Sequence, residues 1–224
     1  MPSEFPRSAK NLKGALVVFE SSRPIPTNLI VFQYNPDSMQ RSFRPSRRTT
    51  SDEEAPAGGG GGREVLPPNE RFSLEVELDA ADQLEVPGQN VLATQVGLHP
   101  TLAALELLLY PPSSALILNR ALSSAGSSII SQARSPLVLL VWGSMRVVPV
   151  RLTSLRVHEQ AFDPRLNPLR AEVSLELRAL TDAELEDEGP PFETLGIVNQ
   201  IAKEVLARSH VAGSVVEITS QLPF

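Results

Sequence analysis

The stretch Phe72-Ser73-Leu74-Glu75-Val76-Glu77-Leu78-Asp79 decides the fold. Phe72, Leu74, Val76 and Leu78 fall on one side of an extended chain, and Ser73, Glu75, Glu77 and Asp79 fall on the other. Successive side chains of a strand point to opposite faces, so this spacing predicts a strand with one buried and one wet face. Such alternation belongs to antiparallel sheets with one solvated side. Leu169–Leu180 repeats the pattern, with Val173, Leu175 and Leu177 facing in and Glu172, Ser174 and Glu176 facing out.

Working outward, Arg146–His158 reads as the strand before that one, with Val150, Leu152, Leu155 and Val157 inward. Its alternation breaks near Thr153-Ser154, which predicts a bulge. Leu137–Trp142 precedes it, joined through Gly143-Ser144, so these strands form an antiparallel meander. Toward the N-terminus, Gly14–Glu20 and Leu29–Tyr34 are two further strands, the second stopped by Asn35-Pro36 and able to continue through Met39–Arg44.

Two helices are expected to pack on or beside this sheet. Leu98–Tyr110 is opened by His99 or Thr101, tolerates Pro100 in its first turn and is ended by Pro111-Pro112. Its apolar positions cover most of its circumference, which predicts deep burial. Thr194–Ser209, capped by Thr194, lines up Leu195, Val198, Ile201, Ala202, Val205 and Leu206 on one face. Ser113–Ser135 reads as a short helix with a mobile end, and Val211–Phe224 as a strand or an extended arm.

The remaining segments are extensions. Residues 1–12 form an N-terminal arm, residues 13–182 the β domain, and residues 183–224 a C-terminal extension. Residues 44–68 carry Arg47-Arg48, Asp52-Glu53-Glu54 and five glycines, Gly58–Gly62, a composition that cannot bury apolar surface. This flexible insertion is either a joint to a partner or a solvated loop. The basic cluster Arg41, Arg44, Arg47 and Arg48 is likewise a candidate subunit contact or a solvated patch. The acidic run Asp182–Glu188 reads as a solvated face.

Composition excludes several classes. The chain of 224 residues has a formal net charge of −6, which argues against a nucleic-acid coat. It has no cysteine, so disulfides and thiolate metal sites are impossible. No stretch reaches the roughly 20 apolar residues of a membrane helix, and residues 1–13 lack an apolar signal core, so a cytoplasmic protein is expected, with no membrane insertion. His99, His158 and His210 are isolated from one another and from any nucleophile motif. The glycine run lacks the Lys-Ser/Thr of a phosphate loop. No catalytic residue, cofactor or metal site is therefore expected, and a structural role fits better than an enzyme.

The order of these elements resembles the tube and baseplate tube-adaptor proteins of contractile injection systems, which are phage-tail-like machines. Three local matches carry the resemblance: Val31-Phe32-Gln33-Tyr34-Asn35-Pro36; Val141-Trp142-Gly143; and the hairpin running from Leu152 through Phe162-Asp163 into Leu169-Arg170-Ala171-Glu172-Val173-Ser174-Leu175. The chain departs from the family in its last turn, where Asn167-Pro168 stands in place of a glycine, and it lacks the C-terminal LysM module of many adaptors. The resemblance covers roughly residues 13–180.

The family implies a mainly β (α+β) fold: an antiparallel, tail-tube-like β-barrel or sandwich with one buried flanking helix, here followed by a C-terminal amphipathic helix. It also implies a six-fold ring of identical subunits in an injection particle, stacked between the spike or hub and the inner tube, with baseplate proteins as further partners. Nucleic acid is not implied. Within such a ring Glu75, Glu77 and Asp79 are candidate lumen-facing residues. The extensions favour an adaptor that initiates the tube over a bulk tube subunit. A monomeric ligand-binding barrel is the alternative from another class, disfavoured by an aromatic fraction of 5% and by the charged strand faces.

Overall fold

Seven strands make one antiparallel sheet in the computed structural model, which describes residues 12–20, 24–46, 66–84, 88, 91–126 and 135–219. In chain order the elements are β1 (Ala15–Phe19), β2 (Pro26–Val31), β3 (Met39–Ser46), β4 (Leu66–Asp79), α1 (Ala81–Leu84), α2 (Val91–Val96), α3 (His99–Glu106) and α4 (Ser113–Ser124), followed by β5 (Leu137–Val141), β6 (Val147–Phe162), β7 (Pro168–Ala179), α5 (Asp182–Glu186), a 3₁₀ turn (Phe192–Thr194) and α6 (Leu195–Thr219). The strand order is β2-β1-β5-β6-β7-β4-β3. The mainly β, antiparallel α+β class is as the alternation predicts. Among the described residues the hydrogen-bonded ladder does not close, so β2 and β3 remain as edges.

The sheet curls around one core. Leu16, Ile30, Phe32, Phe72, Leu74, Val76, Val138, Leu140, Val150, Val173, Leu175 and Leu177 fill it, together with Leu98, Leu102, Leu105 and Leu108 from α3 and the turn after it. Residues from β2 and β4, far apart in strand order, meet in this core, and Gln33 Oε1 accepts a 3.0 Å hydrogen bond from the Asp79 amide. A second, smaller cluster lies on the opposite face, where Leu180, Leu185 and Phe192 pack on Phe19 and Leu137. The Phe19 and Phe192 rings meet edge to face at 5.1 Å.

The expected bulge is present. The register of β6 against β7 shifts between Leu152 and Ser154, and Thr153 Oγ1 donates to the Glu176 carbonyl at 3.0 Å. Gly97, with φ +58, lets the chain pass so close to β7 that an added Cβ would sit 2.4 Å from the Pro168 carbonyl oxygen. That carbonyl accepts from the Leu98 amide at 2.9 Å, which anchors α3 over the sheet.

Two of the family-like segments pack together. Phe32 and Trp142 have ring centroids 6.4 Å apart. Asn35 Oδ1 accepts from the Gly14 amide and its Nδ2 donates to the Leu12 carbonyl, both at 2.8 Å. The Asn35-Pro36 element therefore fixes where β1 begins.

Several expectations need correction. The insertion is shorter than 44–68, because residues 44–46 extend β3 and residues 66–68 extend β4. Residues 47–65, with Arg47, Arg48 and the glycine run, lie outside the described residues, as do most of the N-terminal arm and the second half of Ser113–Ser135. The helix after Gly97 ends at Glu106 rather than Tyr110 and is not deeply buried all round: Leu102 and Leu105 are inside, whereas Leu107, Leu109 and Tyr110 in the turn after it are exposed. The acidic run opens as a helix with a capping box made by Thr181 and Glu184. Thr194 does not cap α6; it sits in the preceding 3₁₀ turn and its hydroxyl donates to the Pro191 carbonyl at 3.3 Å. The last helix runs to Thr219, so the stretch from Val211 is neither strand nor extended arm up to that point.

Candidate functional site

The wet face of the sheet is built by strict alternation on β4, β7, β6 and β3, and the register sorts it into rungs. One rung places Arg151, Arg178, Arg71 and Ser42 side by side across β6, β7, β4 and β3. The next holds Ser154, Glu176, Ser73 and Gln40. Then follow Arg156–Ser174–Glu75, His158–Glu172–Glu77 and Gln160–Arg170–Asp79. The face is thus basic at one end and rich in carboxylates toward the other, with about 20 Å between Arg71 and Glu77 at the usual strand rise.

The predicted lumen carboxylates share this face. Glu75 and Glu77 are exposed, and Asp79 is partly buried. Asp79 is the most committed of the three: Arg170 donates to Asp79 Oδ2 through Nη2 at 2.6 Å and through Nε at 3.0 Å, and the Ala81 amide donates to Oδ1 at 2.8 Å. The Ala81 amide, helped by Arg170, holds the Asp79 carboxyl below its ordinary value against the opposing effect of burial. Glu75 accepts from the Ser174 hydroxyl at 3.3 Å. Glu77 lies directly opposite Glu172, a like-charge pair that sheets usually avoid. His158 Nδ1, 3.6 Å from Glu172, can soften that repulsion when protonated.

Of the predicted basic cluster, Arg41 and Arg44 fall on opposite faces of β3. Arg41 turns to the inner face, with its guanidinium 5.6 Å from the Phe72 ring centroid, and pairs with Glu70. Arg44 lies exposed on the wet face, one rung beyond Arg71.

Sequence reasoning missed two charged assemblies. Glu70 is only 4% exposed and accepts from Arg41 and, on its other oxygen, from Lys203 of α6 at 2.9 Å. Burial alone would raise the Glu70 carboxyl, but the hydrogen bonds from Arg41 and Lys203 outweigh it and hold its pKa low. A groove of about 670 Å³ runs beside this pair, between α6 and the ends of β3, β4 and β6. The second assembly is at the arginine rung, where Glu184 of α5 meets Arg178 at 2.7 Å and Arg151 at 3.2 Å. Hydrogen bonding from Arg178 carries most of the drop of the Glu184 pKa to about 2, with Thr181 assisting against burial. Each arginine is an outward position on its own strand, a signal the alternation contains. Their alignment depends on register, which no single strand reveals.

From Lys203 to His210 every residue of α6 is exposed. Val198, Ile201, Val205 and Leu206, predicted to lie on its packing face, are between 45% and 57% exposed, and Ile197 is 58% exposed. Leu29 and Val31 of edge strand β2 and Phe43 of edge strand β3 are exposed as well. Among the described residues no His, Asp and Glu side chains converge to hold a metal ion, and no helix is long and apolar enough to cross a membrane. In comparisons with known proteins, the sequence matches no family model and no curated protein.

Proposed function

We propose that this chain is a structural, non-catalytic ring subunit of a contractile injection particle, placed at the baseplate end to join spike or hub to inner tube and to start tube assembly. The observation that carries the reading is the shape of the sheet. It curls around a core filled by side chains such as Phe32, Phe72 and Leu16, yet ends in two edge strands, β2 and β3, each paired on one side only among the described residues. Unpaired edges are a liability for a monomer and a resource for an assembly. Two different edges on one subunit suit head-to-tail contacts, which form a ring when the rotation closes.

The filled core also speaks against the ligand-binding barrel, which needs an internal cavity. The exposed apolar face of α6 and the exposed Leu29 and Val31 supply further contact surface of the kind that marks interaction sites. In this reading the wet face, with Glu75 and Glu77, looks into the channel, and the subunit stays in the cytoplasm until the particle is assembled or released.

Native mass spectrometry of the chain, alone and mixed with tube and spike components of its own particle, tests the proposal. A closed ring, alone or on those partners, is expected. A chain that stays monomeric in both conditions overturns it.

A further inference from the structure

We propose that the arginine rung Arg151–Arg178–Arg71, extended by Arg44, is a docking site for a short acidic peptide segment of a partner protein. The proposal does not depend on the ring reading and holds equally for a monomer.

The rung is an electrostatic anomaly. Register sets Arg151, Arg178 and Arg71 directly opposite one another on three neighbouring strands. Like charges so placed destabilise a sheet unless a counter-charge sits among them. The chain supplies one. Glu184 receives Arg178 on both oxygens, at 2.7 and 2.9 Å, and Arg151 at 3.2 Å. A single carboxylate thus serves two guanidiniums, and Arg71 is left over.

Arg71 and Arg44 are exposed, and among the described residues neither forms an ion pair. Glu176, the nearest acid along β7 on the same face, forms no ion pair with the rung there either. Arg71 and Arg44 are therefore surplus donors of the type whose planar fork matches a carboxylate.

The built-in partner indicates the ligand class. Glu184 shows that a carboxylate fits between neighbouring arginines of this rung. At about 4.8 Å between strands, the patch from Arg151 to Arg44 spans roughly 14 Å, the reach of four or five extended residues. A long polyanion such as nucleic acid would run on across Glu176, Glu75, Glu77 and Glu172 and be repelled, whereas a short acidic segment lying along the rung would not.

The test is fluorescence anisotropy of the full chain with a labelled hexaglutamate peptide at low salt, with a neutral Gly-Ser peptide and a single-stranded hexanucleotide as comparisons. Saturable binding of hexaglutamate is expected, at least tenfold weaker for Arg71→Glu and several-fold tighter for Glu184→Gln. The second substitution keeps a capping-box side chain but frees Arg151 and Arg178. Circular dichroism and urea midpoints check that both variants fold. Three results would overturn the proposal: affinity unaffected by Arg71→Glu, affinity lowered by Glu184→Gln, or the hexanucleotide binding as tightly as the peptide.

Discussion

Lys203 Nζ lies 2.9 Å from Glu70 Oε2, although 133 residues separate them. The pair fastens α6 across the end of the sheet, and Arg41 completes it from β3. Glu70 is nearly enclosed while Lys203 remains 43% exposed, so the two ends of the bridge are unequal. Lys203→Met leaves Glu70 with Arg41 and should cost about 1 kcal/mol. Glu70→Ala strands Arg41 against the core and should cost about 3 kcal/mol. Urea denaturation of the two variants measures the difference. Hydrogen exchange should show lost protection in α6 for Lys203→Met, with β4 and β7 unchanged. Equal destabilisation by both substitutions would show that Arg41 contributes nothing to the bridge.

The Glu184 carboxyl makes stability depend on pH. Its pKa in the folded chain is about 2, against an ordinary 4.5. A depressed folded value favours the ionised form in the native state, so the contribution is complete above about pH 4.5 and drains away as pH falls toward 2. Because the group is partly solvated, its contribution is of the order of 1–2 kcal/mol. Glu184→Gln should therefore be less stable than the parent chain at pH 7 by about that amount, and the gap should narrow below about pH 4.5 and close only as pH approaches 2. Urea midpoints across this range decide the matter; a gap constant with pH would mean the loss comes from packing. The same substitution is expected to tighten hexaglutamate binding, so one variant loses stability while gaining affinity.

Much of the β framework could be read from single strands, because alternation is a local property. Phe72, Leu74, Val76 and Leu78 are all buried, and Glu75 and Glu77 are exposed, as spacing required. What depends on pairing could not be read this way. Arg71, Arg151 and Arg178 look like unrelated outward positions until β4, β7 and β6 are aligned. Arg41 was grouped with its sequence neighbours, yet on β3 it alternates to the inner face and meets Glu70. α6 runs on through Gly213, a poor helix former, past the end expected at Ser209, because helix propensity is a weak prior.

The turn between β6 and β7 holds a residue in an unfavourable conformation. Leu166 has φ 65 and is 77% exposed, so it carries left-handed strain without burying its side chain. Asp163 holds the turn by accepting from the Arg165 amide at 2.7 Å and the Asn167 amide at 2.8 Å. Leu166→Gly removes the Cβ clash and leaves those bonds intact. Glycine also loosens the unfolded chain, which offsets part of the gain. The expected net effect is a stabilisation of about 0.5–1 kcal/mol, read as a raised urea midpoint. A lowered midpoint would mean that the leucine side chain makes contacts worth more than the strain.

The edge strands provide the sharpest test of assembly. Leu29 and Val31 lie on β2, 58% and 44% exposed, beyond which no further strand is paired among the described residues. Lysine placed on an edge is a device by which sheets refuse new strands. A surface change at so exposed a position should alter the stability of the single chain by no more than about 0.5 kcal/mol. Leu29→Lys should therefore fold like the parent chain but fail to form rings, alone or on tube and spike partners. Sedimentation velocity reads the second property and urea denaturation the first, so misfolding and failed assembly are separated. Rings of normal size from this variant would remove β2 from the subunit interface and leave α6 as the surface to examine.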